Sequence, residues 1–123
     1  MVKRVDKPWG YEEWLEVNES YVMKRIFINR GRFLSLQYHE RKTETVCVVR
    51  GMVELTLGNL TPFGYELFAP RVMHPKDVIH LPPRTIHRFK ALENAVLIEA
   101  STPELDDVVR LDDDYGRKGT NET

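Results

Sequence analysis

The sequence predicts an all-β fold, either a sandwich or a barrel. Short runs of apolar and β-branched residues recur along the chain, with glycine, proline or asparagine between them. No stretch of twelve or more residues shows a clean helical period in its apolar positions. The length of 123 residues suits one domain and leaves no room for a second.

Eight strands follow from this pattern. Residues 21–29 alternate clearly between two faces, and residues 45–50 are so apolar that we expect them to be buried on both faces. Gly51 marks a tight turn between two strands. The predicted strands are 11–17, 21–29, 33–38, 45–50, 52–57, 77–81, 86–92 and 95–101.

Two stretches lie outside this regular pattern. Residues 58–75 contain several prolines and large apolar side chains, so we expect a loop that packs over the core or covers a pocket. Residues 106–115 are acidic and predict a helical turn or a short solvated arm. The last residues predict a frayed tail.

Composition excludes several classes of protein. The chain has 18 Lys and Arg against 19 Asp and Glu, and this balance argues against electrostatic binding of nucleic acid. Cys47 is the single cysteine, so an intrachain disulfide framework is excluded. The longest apolar runs have four residues, which predicts neither a membrane span nor a signal peptide. We therefore expect a cytoplasmic protein that does not bind membranes.

Four residues are candidate metal ligands. Gln37 and His39 lie two positions apart, so on a strand their side chains point to the same face. Glu44 follows a turn and can lie opposite them, whereas His87 must return from a distant strand. Imidazole, carboxylate and amide oxygen suit a divalent ion such as Zn, Mn, Fe, Co or Ni. Each residue taken singly is also compatible with an ordinary structural role.

The spacing around these residues resembles the cupin superfamily. Gly31, Gln37, His39, Glu44 and Gly51 match the spacing of the first cupin motif, with Gln37 in place of its first histidine. The second cupin motif is matched by a proline and a histidine at positions 82 and 87. It departs at Arg84, which replaces a glycine, and at Ala91, which replaces an asparagine.

Longer segments resemble a narrower family, the C-terminal isomerase domain of type II mannose-6-phosphate isomerases. Such domains usually occur fused to a mannose-1-phosphate guanylyltransferase. The similarity extends from residue 8 to residue 117, and Gln37 is itself a feature of that family. The matching strings are DKPWGYEEWLE, VMKRIFINRGRFLSLQYHERKTE, VVRGMVELTLG, IHLPPRTIHRF and DDVVRLDDDYGR.

The resemblance implies a cupin-type double-stranded β-helix, that is, a jelly-roll barrel with N- and C-terminal arms. We expect residues 1–123 to form one domain, with the barrel at about 20–102, the C-terminal arm at 103–117 and a frayed tail at 118–123. The resemblance also implies that one divalent metal ion, Zn, Mn, Co, Fe or Ni, is held by Gln37, His39, Glu44 and His87.

One departure from the family concerns the proposed chemistry. Lys42 stands where the family has an arginine that is thought to act in catalysis. The change keeps the positive charge but loses the planar group that binds a carboxylate or phosphate with two hydrogen bonds. The neighbouring Arg41 is a possible substitute.

An aldose–ketose isomerase needs a Lewis acid, a general base and cations for the phosphate. For the base, Glu40, Lys42 and His80 are the candidates. For the phosphate, we consider a second set of residues, consisting of Arg84, Arg88, Lys42 and Arg117.

Three functions are therefore open. The first is a metal-dependent sugar-phosphate isomerase, similar to mannose-6-phosphate isomerase, that serves polysaccharide or nucleotide-sugar synthesis. The second is a non-catalytic cupin that binds a sugar or nucleotide sugar, which the change at Lys42 favours. The third is an iron-dependent cupin dioxygenase. We expect a small-molecule sugar phosphate as ligand and a homodimer, in which the aromatic N-terminal strand crosses to the partner.

Overall fold

The computed structural model describes residues 2–112 and 119–121, and all its regular structure is β-strand. The predicted all-β class is confirmed. Twelve strands lie within residues 2–112, and residues 119–121 form a thirteenth. The strands are β1 (Lys3–Lys7), β2 (Gly10–Val17), β3 (Val22–Ile28), β4 (Leu36–Tyr38), β5 (Glu44–Arg50), β6 (Val53–Thr61), β7 (Gly64–Leu67), β8 (Arg71–Met73), β9 (Val78–Leu81), β10 (Thr85–Ala91), β11 (Ala95–Ser101), β12 (Val108–Asp112) and β13 (Gly119–Asn121).

The strands form two antiparallel sheets. The first has six strands in the order β1-β2-β3-β11-β5-β9, and the second runs β13-β12-β4-β10-β6-β7, with β8 paired to β6. Strands β4 and β10 of the second sheet pair through Gln37 and His87. This pairing brings two candidate ligands, fifty positions apart in sequence, to neighbouring strands.

The core consists of the inward-facing residues of both sheets. Burial alternates along β3 and β5, as expected for strands that have one face on the core. Val48, Leu55 and Leu97 are completely buried. The core cluster is Trp9, Ile26, Ile28, Val46, Val48, Val53, Leu55, Met73, Leu81, Phe89, Ala91, Ala95 and Leu97.

The turn between β5 and β6 depends on a glycine. Gly51 has φ of 79°, and a Cβ at this position would lie 2.3 Å from the carbonyl oxygen of Asn94. A side chain here would meet both backbone strain and a collision with backbone atoms. The turn that the sequence placed at Gly51 therefore has a steric reason.

The expectation that residues 45–50 are buried on both faces is wrong. Thr45 and Val49 are exposed, and Cys47 is half-buried. These side chains point to the outer face of the six-stranded sheet, which no described element covers. Val78 and Met23 are exposed on the same sheet.

The predicted homodimer stays a prediction, because the structure contains one chain.

Residues 58–75 are more regular than expected. β6 continues to Thr61 and turns through an exposed Phe63 into β7. Every residue of β7 is exposed, while Met73 of β8 reaches the core. Gly58 pairs with Leu67 and Thr61 with Gly64, so a two-residue turn joins β6 to β7. The two strands form a projecting hairpin.

The terminal segments are parts of the sheets. The hairpin of β1 and β2 extends the first sheet beyond β3, and β12 adds to β4 of the second. Residues 108–112 are thus a strand, where a helical turn or solvated arm was predicted. Residues 119–121 pair with Val108–Arg110, so the predicted fraying does not hold for that stretch. Tyr115 and Arg117 lie outside the described residues.

No helix long and apolar enough to cross a membrane occurs among the described residues.

The projecting position of β7 gives a test of the fold. Leu55 is completely buried on β6, whereas Leu67 on the adjacent β7 is 47% exposed. We expect Leu55→Ala to lower the free energy of unfolding by about 2–5 kcal/mol, because it leaves a cavity in the core. Leu67→Ala is expected to change it by about 0.5 kcal/mol or less. Urea denaturation measures both, and similar losses in the two variants would contradict this fold.

Candidate metal centre and cavity

A polar cavity lies between the two sheets. Trp9, Ile26, Leu34 and Val108 provide its apolar lining. The polar lining comes from strands of both sheets and consists of Lys7, Glu12, Lys24, Ser35, Gln37, His39, Lys42, Glu99 and Arg110. An interior with this many charged groups is costly to form, so it indicates a functional site.

Three candidate ligands meet beside this cavity, and His39 also lines it. His39 follows β4, Glu44 begins β5 and His87 lies in β10, and all three are buried. One ligand atom from each lies within 4.8 Å of the others. The Nε2 atom of His39 is 3.6 Å from Glu44 Oε2, and the Nε2 atom of His87 is 3.4 Å from Glu44 Oε1.

Backbone carbonyls determine the tautomer of both histidines. The Nδ1 atom of His39 lies 2.5 Å from the carbonyl oxygen of Asp107, and that of His87 lies 3.0 Å from the carbonyl oxygen of Thr85. Because a carbonyl can only accept, each Nδ1 carries the hydrogen and donates it. In the neutral rings, each Nε2 therefore presents a lone pair toward Glu44.

Both histidines are neutral at physiological pH. Burial, and then the positive charge of Lys42, lowers the pKa of His39 to about 4. Burial, followed by the proximity of His39, lowers the pKa of His87 to about 3. Their contacts with Glu44 are therefore not ion pairs at neutral pH.

This arrangement fits a divalent cation. Two imidazole lone pairs and a carboxylate converge, and His39 Nε2 is buried without a hydrogen-bond partner among the described residues. A metal ion is the group that two neutral histidines and one carboxylate can share. The same geometry explains a raised pKa for Glu44, because burial and the charge of Glu99 both disfavour its ionised form.

Lys42 lies beside the three ligands as a permanent cation. Its Nζ atom is 3.2 Å from Glu44 Oε2 and 3.3 Å from Glu99 Oε2. Burial alone would lower the pKa of Lys42, but the two carboxylates outweigh it and raise the pKa. Lys42 therefore retains its proton and is unsuited to act as a general base.

Asp107 holds the segment between His39 and Glu44. Its carboxylate accepts hydrogen bonds from the backbone N–H groups of Glu40, Arg41 and Lys42, at 3.0, 2.7 and 2.9 Å. Burial tends to raise the pKa of Asp107, but these three bonds lower it overall. One residue of the C-terminal segment thus fixes both the turn and, through its carbonyl, the ring of His39.

The fourth predicted ligand, Gln37, borders the same cavity. It is directly opposite His87 in the pairing of β4 with β10, and its Oε1 accepts a hydrogen bond from Ser35 Oγ at 2.7 Å. The structure brings His39, Glu44 and His87 together as predicted. A ligand role for Gln37 stays a prediction.

Among the other predicted residues that the structure describes, Lys42 lines the cavity and the rest lie away from it. Glu40 and Arg84 form an exposed ion pair, with Arg84 Nη1 2.7 Å from Glu40 Oε2. His80 is exposed and shares a hydrogen bond with Thr43 Oγ1 on the outside of the first sheet.

Arg88 and Arg117 complete the predicted set. Strand alternation turns Arg88 away from the neighbouring ligand, His87, so that its guanidinium lies over the ring of Phe33 and 3.4 Å from Asp112 Oδ2. Arg117 lies outside the described residues. Among the described candidates for the phosphate, Lys42 alone lines the cavity.

Sequence reasoning missed four buried charged residues of the cavity. Glu12, Lys24, Glu99 and Arg110 are all buried and line it. Lys24 occupies an inward position of β3, whose other inward residues are apolar. It pairs directly with Glu99, an inward residue of β11. The signal that could have found these residues is a charged side chain at an inward position of a strand.

The two curled sheets, with a histidine and carboxylate site at their inner face, define a cupin barrel. Residues 1–113 match the family described as mannose-6-phosphate isomerase C-terminal, and the chain belongs to that family.

Curated relatives contain this domain as part of a longer protein. The chain is 32% identical over 125 residues to the mannose-1-phosphate guanylyltransferase ManC of Salmonella typhimurium, covering 95% of this chain and 24% of the relative. It is 30% identical over 120 residues to the xanthan biosynthesis protein XanB of Xanthomonas campestris pv. campestris, covering 94% and 24%. The chain therefore spans about a quarter of the length of these relatives.

Solved structures agree with the fold. KdgF from a Halomonas species superposes with a TM-score of 0.68 at 22% identity, covering 83% of this chain and 88% of that one. An RmlC-like cupin from Shewanella frigidimarina gives a TM-score of 0.67 at 18% identity, covering 84% and 85%. At this identity the likeness concerns the fold alone, and the predicted jelly-roll class is confirmed.

The contacts of Asp107 predict that it supports metal binding. We expect Asp107→Ala to weaken binding of Mn²⁺ or Zn²⁺ by about 10–100-fold, because three backbone donors beside the ligands lose their acceptor. The exposed neighbour provides the control, since Asp106→Ala leaves these contacts in place. Calorimetric titration measures both variants. Equal affinities of the two variants would show that Asp107 does not position the ligands.

The lowered histidine pKa values predict a pH effect on the metal-free protein. His39 has a pKa of about 4 when folded against 6.5 ordinarily, so between these values the unfolded chain binds more protons. The contribution of His39 to the free energy of unfolding therefore falls as pH decreases from 6.5 to 4.

Denaturation at several pH values with a chelator present measures this effect. His39→Gln should show a smaller loss of stability than the wild type across that window, whereas His74→Gln, which alters an exposed histidine, should follow the wild type. An identical pH dependence for His39→Gln and the wild type would exclude the buried neutral state.

Proposed function

We propose that this domain is a metal-dependent sugar-phosphate isomerase that acts in polysaccharide or nucleotide-sugar precursor synthesis. The observation that carries the proposal is the convergence of His39, His87 and Glu44 beside a charged cavity. Membership of the isomerase family and the similarity to XanB and ManC support the choice of substrate class.

His39, Glu44 and His87 would hold the metal ion, with Gln37 as the proposed fourth ligand. A bound divalent ion supplies a Lewis acid that polarises the substrate carbonyl. Lys42 contributes a fixed positive charge next to that position, which favours the negative oxygen that develops when a proton leaves the adjacent carbon.

The proton transfer requires a group inside the cavity. Glu40 and His80 are poorly placed for it, since both are on the outer surface. Among the described residues, the carboxylates that line the cavity are Glu12 and Glu99. Glu99 is held between two lysines, and Glu12 accepts a hydrogen bond from Trp14 Nε1 at 2.9 Å. We assign the proton-carrying role to this pair of carboxylates.

A second candidate is a binding module without turnover. Lys42 replaces the family's arginine, and both of its carboxylate contacts are internal. A lysine held in this way is less available to a substrate than an arginine with five donors. This observation favours a sugar-binding or nucleotide-sugar-binding role over catalysis.

An activity assay separates the two. We expect the protein loaded with Mn²⁺, Co²⁺ or Zn²⁺ to convert mannose 6-phosphate to fructose 6-phosphate. His39→Ala is expected to abolish conversion because it removes a ligand, and His74→Ala provides a matched control on the surface. A coupled assay that detects the ketose phosphate measures the rate.

The isomerase proposal would be excluded by metal-loaded protein that is inactive on the common hexose and pentose phosphates. A rise in melting temperature with a sugar phosphate or nucleotide sugar, in the absence of turnover, would then establish the binding module.

A further inference from the structure

The cavity contains a buried cation that the metal chemistry does not use. Lys24 on β3 is 2% exposed, and its side chain lines the cavity. A lysine is almost never fully buried unless a partner compensates its charge. Its role has to be sought in the groups that surround it.

The contacts of Lys24 leave much of its hydrogen-bonding capacity unused. Within the described part of the chain, Lys24 forms an ion pair with Glu12, with Nζ 3.4 Å from Glu12 Oε1. That oxygen also accepts the hydrogen bond from Trp14 Nε1 at 2.9 Å. The ammonium lies 4.8 Å from the centroid of the Trp14 ring. Since an ammonium has three donors, one long and shared contact does not satisfy it.

The cavity lining as a whole contains more positive than negative side chains. The described lining of the cavity contains four cations, Lys7, Lys24, Lys42 and Arg110, but two carboxylates, Glu12 and Glu99. Lys7 and Arg110 have contacts of their own, so Lys24 is the residue on which the subsite depends. Lys24 and Arg110 come from different sheets and provide opposite walls with positive charge.

We propose that Lys24 binds the phosphate group of the sugar ligand inside the cavity, with Arg110 contributing to the same anionic subsite. This inference rests on the proposed sugar-phosphate function, and it replaces Arg84 and Arg88, which point outside, as the predicted phosphate ligands. Charge-assisted hydrogen bonds from a buried ammonium to phosphate oxygens are strong because little water competes.

The subsite also assigns an orientation. Lys24 and the candidate ligands His39 and Gln37 line one cavity. The Nζ atom of Lys42 lies between Glu44 and Glu99. Glu99 is the direct cross-strand partner of Lys24. A ligand with its phosphate at Lys24 therefore extends past Glu99 toward the histidines, which places its carbon chain beside a candidate proton carrier.

Binding of a non-reactive analogue tests this subsite independently of turnover. Calorimetry and tryptophan fluorescence are used with a hexitol 6-phosphate, the unphosphorylated hexitol and a hexonate of similar length. In the wild type we expect saturable binding of the hexitol 6-phosphate, with a fluorescence change because Trp9 lines the cavity and Trp14 adjoins Lys24. Preference for the hexonate would show a carboxylate subsite and overturn the phosphate assignment.

The decisive variants alter Lys24. Lys24→Met is expected to weaken hexitol 6-phosphate binding by about 10–100-fold, and Lys24→Arg to retain most of it. The control is Lys90→Met, which removes a lysine that lies over the ring of Phe33 and does not line the cavity. The double variant Lys24→Met with Glu12→Gln avoids leaving a buried carboxylate unpaired, if the single variant does not fold.

The outcomes are distinct from those of the isomerase assay. Unchanged binding in Lys24→Met or in the double variant overturns the subsite, as does a wild type that gives no saturable binding. A wild type that binds the hexitol 6-phosphate through Lys24 but does not isomerise a sugar phosphate keeps the subsite and excludes the isomerase. A protein that isomerises a sugar phosphate, but whose KM is unaffected by Lys24→Met, keeps the isomerase and excludes the subsite.

Discussion

The site depends on the mutual repulsion of three buried electron-rich side chains. Two carbonyl oxygens hold the Nδ1 hydrogens of His39 and His87, so both Nε2 lone pairs point at the carboxylate of Glu44. Such an arrangement favours a positive species beside these groups, because like partial charges repel strongly at low dielectric, and Lys42 lies 3.2 Å from Glu44 Oε2. The strands and the Asp107 turn keep these atoms together.

Charge balance extends from this point across the barrel. Negative and positive side chains alternate from Glu44 to Lys42, Glu99, Lys24 and Glu12. In this row, burial would raise the pKa of Glu99, but the two lysines beside it lower the pKa overall. Each charge is tolerated in the interior because its neighbours have the opposite sign. The row connects the metal ligands to the N-terminal hairpin, which makes that hairpin part of the site.

Much of the barrel and three candidate metal ligands followed from the sequence. Alternation over residues 22–28 and 95–101, with glycine and proline between runs, has a direct physical cause in the two faces of a strand. Strands β1, β7, β8, β12 and β13 were missed. β7 is wholly exposed, and the acidic clusters around β12 resemble a solvated arm. Lys24 and Glu99 were missed because a single charged residue in a strand does not reveal whether it faces water or a cavity.

The sequence alone determined the β class, the family resemblance, and His39, Glu44 and His87 as a candidate set, since residue type and spacing carry that information. Tertiary structure alone decided which charges face inward. It placed Glu40, His80, Arg84 and Arg88 outside, and Glu12, Lys24, Glu99 and Arg110 inside. The physical reason is register: shifting one position along a strand moves a side chain from solvent to the cavity, and the pairing of distant strands sets that register.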